Sequence, residues 1–139
     1  MVASRKTLLA DLPSRVAGCL KRHVLPGQDM VVGLSGGCDS VVLLNLLVSL
    51  AQSARVSAVH VHHGLSPNAD DWLAFCQVYC DLLGVTLHCR YASVDRTSGL
   101  GIEAAARAAR YAAFADVVPK GGVLMLAHHH GDQAETMLF

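Results

Sequence analysis

A parallel α/β sheet, doubly wound with helices on both faces, is the fold class this sequence predicts, and three observations predict it. Apolar runs alternate with helix-period patterns from Met30 to Ala127, and each parallel strand pair needs a crossover that leaves a helix on one face. A glycine turn, Gly36-Gly37, stands directly between an apolar run and an apolar helix pattern. The polar motifs fall after Leu34, Val61 and Ala127, at the carboxyl ends of predicted strands, where open α/β sheets gather ligands.

Taken in order, Arg5 to His23 reads as an amphipathic lead-in helix. Its Leu8, Leu9, Leu12, Val16 and Leu20 fall at roughly helical spacing despite Pro13, and Pro26-Gly27 ends it. The strand Met30 to Leu34 runs into the glycine turn, and the helix Asp39 to Ala51 leaves it. Strand Val56 to His62 precedes a helix from Pro67 to Leu83. Ser66 stands at that helix's N-cap and Pro67 at its first position, each favoured there by geometry. Its Trp72, Phe75, Cys76, Tyr79 and Leu83 form an apolar stripe. Strand Val85 to Tyr91, helix Ile102 to Val117 and strand Val123 to Ala127 follow. A further helix is expected from about Gly131, running into Met137-Leu138-Phe139.

The bulk properties narrow the function. With 139 residues, 53% of them hydrophobic and only 16% charged, the chain is one domain with a real core rather than a disordered segment. A net charge of zero argues against a broad nucleic-acid-binding field, so any grip on RNA is local or supplied elsewhere. The longest apolar run is interrupted by Asn45 and Ser49, which disfavours a membrane span or signal peptide and leaves the cytoplasm as the expected compartment. The five cysteines include no C-x-x-C pair, which disfavours a disulfide framework, a zinc ribbon and a thioredoxin-like centre. Cys76 and Cys80, one helical turn apart beside Phe75 and Tyr79, read as small buried hydrophobes.

Val31-Val32-Gly33-Leu34-Ser35-Gly36-Gly37-Cys38-Asp39-Ser40 carries the most chemistry. Paired glycines let successive N–H groups point into one concavity at a helix N-terminus, where the macrodipole also favours an anion. Ser35 and Ser40 add hydroxyls. The competing account is a glycine turn that merely joins strand to helix. No lysine follows the glycines and no G-x-G-x-x-G is present, which disfavours a Walker-type kinase and a Rossmann dehydrogenase.

Two further segments carry candidate chemistry. Asp132 and Glu135 lie three residues apart and share a face if a helix starts there, and the same Asp-x-x-Glu spacing is also a capping box. Glu103, Arg107 and Arg110 make one polar ridge on an Ala-rich helix, which is either a solvated face or an anion contact. His60, His62, His63, His128, His129 and His130 invite a metal reading. Three consecutive histidines cannot all face one way, however, and no thiolate or carboxylate spacing completes a zinc motif.

Ser-Gly-Gly-x-Asp-Ser between strand and helix resembles the motif of the PP-loop ATP pyrophosphatases, which cleave ATP between its α and β phosphates and join AMP to a substrate oxygen. Three more segments extend the resemblance: His60-Val61-His62-His63-Gly64-Leu65-Ser66, Gly101-Ile102-Glu103 through Arg107, Arg110 and Tyr111, and Ala127-His128 through Asp132-Gln133-Ala134-Glu135-Thr136. Together they are similar to the catalytic domain of the bacterial tRNA(Ile)-lysidine synthetases, over nearly the whole chain from Met30 onward.

That resemblance implies adenylation, at C2, of the cytidine at the first anticodon position of tRNA(Ile). Attack by the ε-amino group of free L-lysine would follow, releasing AMP. It implies ATP bound by Ser35, Gly36, Gly37, Cys38, Asp39 and Ser40, with Mg²⁺ at Asp39. Catalytic roles fall on Asp39, on Arg107 as a contact to phosphate or RNA, on His128 at the nucleotide site, and on Asp132 and Glu135 as lysine-handling carboxylates. Gly131 stands where the family commonly has a first aspartate. Residues 1–139 are expected to be one N-terminal adenylation domain, incomplete at its C-terminal end and without tRNA-binding domains. A homodimer is compatible with the resemblance, and no membrane is involved. Two alternatives stay open: a cytidine-thiolating PP-loop enzyme, disfavoured by the missing C-x-x-C, and an ATP-binding module without catalysis.

Overall fold

The computed structural model describes residues 13–15, 17, 18, 20–22, 24, 27–35, 38–50, 55–62, 64, 67–92, 101–127 and 134–138, with only the strand itself described for 134–138. Its elements alternate as β1 (Met30–Gly33), α1 (Cys38–Leu50), β2 (Val56–His62), α2 (Ala69–Leu83), β3 (Thr86–Tyr91), α3 (Ile102–Val117), β4 (Val123–Ala127) and β5 (Ala134–Leu138). The described residues from 13 to 22 are helical, as expected of the lead-in segment, and Leu20 and Val24 pack on the core. Leu8, Leu9, Leu12 and Val16 lie outside the described residues.

One five-stranded sheet runs in the order β3-β2-β1-β4-β5. β1 pairs parallel with β2 on one side and with β4 on the other, so the direction of winding reverses beside β1. The strand pleat sorts the core into two layers. Met30, Val32, Ala58, Val123 and Met125 face Leu43, Leu44 and Leu47 of α1 and Cys76 and Cys80 of α2. Val31, Val59 and Leu124 face Phe114 and Val118 on the opposite side, under α3. Helices therefore cover both faces, as the sequence predicts. Buried on both sides, β1 and β4 read as continuous apolar runs rather than alternating ones.

Two expectations are corrected. The expected helix from Gly131 is a strand at 134–138, antiparallel to β4 in the register Ala127↔Ala134 to Val123↔Leu138. The outer edge of β4 offers a row of backbone donors and acceptors, and the following segment satisfies them by pairing. The capping box expected of Asp132 and Glu135 loses its helix. The helix expected from Pro67 begins instead at Ala69, with Asn68 at its N-cap and the Trp72 N–H donating to the Asn68 carbonyl at 3.0 Å. Pro67 and Asn68 form a turn. Ser66, expected as the cap, lies outside the described residues. α2 ends at Gly84, whose φ of 70° is left-handed and free of strain only without a Cβ.

Candidate functional site

A cavity of about 410 Å³ opens at the carboxyl ends of β1, β2 and β4, beside the N-terminus of α1. That size suits a small-molecule site. The chain leaves β1 through Leu34, and Ser35, Cys38, Asp39 and Ser40 form one wall. Ser40 is buried and its hydroxyl accepts the Ser35 N–H at 3.2 Å, while the two serine hydroxyls also stand 3.2 Å apart. The two ends of the glycine turn are thus tied together, although Gly36 and Gly37 themselves lie outside the described residues. Asp39 is exposed in the first turn of α1 and also lines the cavity.

The facing wall comes from α3, with Arg107, Arg110, Tyr111 and Phe114. Arg107 donates to the Tyr111 hydroxyl at 3.0 Å, and its guanidinium lies 5.0 Å from the Tyr111 ring centre. One tyrosine therefore braces this arginine by a hydrogen bond and a cation–π contact. Gly33 forms the floor where α3 approaches closely. A Cβ there would stand 2.4 Å from Leu126 Cδ2 and 3.4 Å from Phe114.

On the α2 side, His60 is buried and its Nδ1 lies 2.6 Å from the Leu34 carbonyl. His62 Nε2 lies 2.7 Å from Asp70 Oδ1, and its ring tilts against Tyr91 at 5.1 Å. Trp72, from the apolar stripe of α2, is 43% exposed and lines the cavity rather than filling the core. The fully buried members of that helix are Cys76 and Cys80, whose thiols burial pushes up to about 11. Both are neutral at ordinary pH, so Cys76, 3.8 Å from His60 Nδ1, forms no thiolate–imidazolium pair with it.

The cavity brings together Ser35, Cys38, Asp39, Ser40 and Arg107 of the residues expected from the sequence. His128 and Asp132 lie outside the described residues, and of Glu135 only the backbone is described, opposite Leu126. Trp72, Phe114 and Leu126 are cavity residues that motif reading does not single out, and Tyr111 enters it only as the end of the Glu103–Arg107–Arg110 segment, with no role given to it. Tyr111 had a local signal, standing four residues after Arg107 on a helix. Among the described residues, no group of three or more His, Cys, Asp or Glu is placed to hold a metal, and no helix is long and apolar enough to cross a membrane.

The chain is 56% identical over 117 residues to the tRNA(Ile)-lysidine synthase of Neisseria meningitidis serogroup B (strain ATCC BAA-335 / MC58), a stretch covering 82% of the chain and 26% of that protein. It is 52% identical over 118 residues to the tRNA(Ile)-lysidine synthase of Actinobacillus pleuropneumoniae serotype 3, covering 84% of the chain and 27% of that protein. The chain thus spans about a quarter of the length of the curated relatives it matches. Among solved structures it is similar to the NH3-dependent NAD synthetase from Campylobacter jejuni, with TM-score 0.60 and 17% identity over 88% of this chain and 56% of that one. It is also similar to the U34-tRNA thiolase NcsA from Methanococcus maripaludis, with TM-score 0.53 and 20% identity over 63% of this chain and 31% of that one. At those identities the structures speak for the fold alone. A family model described as PP-loop domain matches residues 10–139, and with nearly the whole sequence inside that match, the chain belongs to the PP-loop domain family.

Proposed function

We propose that the chain is the ATP-binding, adenylating part of a tRNA-modifying ligase of the tRNA(Ile)-lysidine synthetase kind. The observation that carries this is the cavity itself, where the Ser35–Ser40 turn at a helix N-terminus faces two arginines of α3. Backbone dipoles and fixed guanidinium charge on opposite walls suit a polyphosphate. The high identity to proteins named tRNA(Ile)-lysidine synthase supports the substrate side.

In this reading the oxygen on C2 of the first anticodon cytidine attacks the α-phosphorus of ATP. The bond to the β-phosphate oxygen breaks, and pyrophosphate leaves along the serine wall. The ε-amine of lysine then bonds to C2, loses a proton and expels AMP. Arg107 offsets charge on phosphate or RNA, His128 serves the nucleotide, and Asp132 and Glu135 bind the lysine cation and take its proton.

Mg²⁺ fits the donor set. An exposed carboxylate facing a polyphosphate repels it without a cation between them, and Mg²⁺ commonly uses one or two carboxylates, water and substrate phosphates rather than a full protein cage. Asp39 is the residue to hold it. Once bound, the ion supplies charge neutralisation on the departing pyrophosphate.

The test is to incubate the chain, and a version extended to the length of its relatives, with ATP, lysine and transcribed tRNA(Ile), and to look for lysidine by nucleoside mass spectrometry. The extended protein is expected to form lysidine and to release AMP and pyrophosphate, seen by ³¹P NMR. Accumulation of ADP and orthophosphate as primary products rejects the reading. Nucleotide binding by the 139-residue chain, with turnover only in the extended protein, assigns catalysis to the whole and binding to this part.

A further inference from the structure

The peptide unit joining Leu34 to Ser35 is where the chain leaves the sheet for the glycine turn, and it is gripped at both poles. Leu34 is buried, and its own N–H is still in the sheet pattern, donating to the Val59 carbonyl at 2.8 Å. The β1–β2 register ends at Gly33↔Val59. In a continuing parallel ladder a β2 backbone N–H would take the next β1 carbonyl. Here a side chain does so: His60 Nδ1 lies 2.6 Å from the Leu34 oxygen. A carbonyl only accepts, so Nδ1 is protonated and donates. The N–H of the same peptide unit, that of Ser35, donates to Ser40 Oγ at 3.2 Å. Because the peptide is planar, holding its oxygen and its hydrogen at once fixes the plane's rotation. His60 is only 4% exposed and the fully buried Cys76 stands 3.8 Å from the same nitrogen, so the ring is walled in place.

We propose that His60 is a positioning residue: by holding the Leu34 carbonyl it sets the orientation of the Leu34–Ser35 peptide, and with it the placing of Ser35 and of the Ser40 hydroxyl hydrogen-bonded to it toward a bound phosphate. The inference rests on the cavity being an ATP site, and it adds a residue that takes no part in the chemistry. A regular ladder bond would carry β1 onward. The side-chain bond ends the strand and lets the chain turn into the cavity while leaving no buried carbonyl without a donor.

Three substitutions test it. His60→Asn keeps a donor near the position of Nδ1, His60→Gln moves the donor outward to the position of Nε2, and His60→Leu keeps bulk with no donor. Two readouts are taken on the chain: ATP–Mg²⁺ affinity by calorimetry, and hydrogen exchange of the Ser35 amide by NMR. His60→Leu and His60→Gln are expected to weaken ATP binding about tenfold, the effect of one lost hydrogen bond, and to speed Ser35 exchange by a similar factor. His60→Asn is expected to stay within about threefold of the parent in both. The proposal is overturned if His60→Leu matches the parent in both readouts, or if a folded His60→Asn is as impaired as His60→Leu. Should His60→Leu fail to fold, the ordering of Asn over Gln decides the matter. If the parent chain binds no ATP, the functional reading of the cavity fails, while Ser35 exchange in the three variants still decides whether His60 holds the turn.

Discussion

Cys76 and Cys80 stand one turn apart on α2, both fully buried, and removal from water is the largest cause of their raised thiol pKa, with neighbouring Cys80 and Asp81 adding to it, respectively. In the unfolded chain such thiols ionise from the ordinary value of 9.0, whereas in the fold they hold their protons to about 11. The folded state therefore binds more protons between those values. The contribution is fully present below pH 9 and is lost as pH rises through 11. Chemical denaturation at stepped pH should show stability falling over this window by on the order of 2 kcal/mol per thiol, and Cys76→Ala with Cys80→Ala should flatten that part of the profile. At Asp39 the expectation concerns binding. Asp39→Asn should weaken ATP affinity roughly tenfold or more in the presence of Mg²⁺ and little in its absence, since the carboxylate matters through the cation; calorimetry with and without the ion checks it. The buried character of the two cysteines was legible from their helical spacing. His60 was not. In sequence it is one of three neighbouring histidines, and only the pleat of β2 and the carbonyl that meets it set it apart.

β2, α3 and β4 stand where the sequence puts them, because largely buried strands and a long Ala-rich helix declare themselves by their apolar content and by period. β5 was not legible, since what makes 134–138 a strand is the open edge of β4 rather than any pattern of its own. The cavity was half legible for the same reason. Its serine wall is a contiguous motif, whereas Trp72, Tyr111 and Leu126 come to it from three elements through packing. Gly33 shows how tightly those elements meet. Gly33→Ala should be tolerated at modest cost, because the nearest atom is the free end of the Leu126 side chain, which can swing aside. Gly33→Val also presses on Phe114 and should cost about 1–3 kcal/mol, the usual range for overpacking. Leu126→Ala added to Gly33→Val should recover part of that loss in thermal unfolding. No recovery would mean that the Leu126 side chain of β4 does not crowd Gly33 as described.

At the scale of the whole molecule, a sheet wound in two directions from β1 leaves a cavity where strands diverge, and Ser35, Asp39, Ser40, Arg107 and Arg110 line it. The antiparallel β5 returns alongside β4 and sets the backbone of Glu135 opposite Leu126, a residue of the cavity wall. A carboxylate in a strand has no helix to cap, so the structural role that competed with catalysis for Glu135 falls away, and Glu135→Gln becomes a direct probe of charge. If Glu135 meets the lysine cation or takes its proton, that substitution should lower lysidine formation by roughly a hundredfold, the low end for a lost general base. Adenylation of the tRNA should persist, because the serine wall and the arginines of α3 are untouched. Both half-reactions are to be measured on the protein extended to the length of its relatives, with pyrophosphate release reporting the first and nucleoside mass spectrometry the second. Normal lysidine formation in Glu135→Gln would remove the carboxylate from the mechanism. Loss of pyrophosphate release together with lysidine would place the damage at the ATP cavity instead, and would make β5 part of its wall.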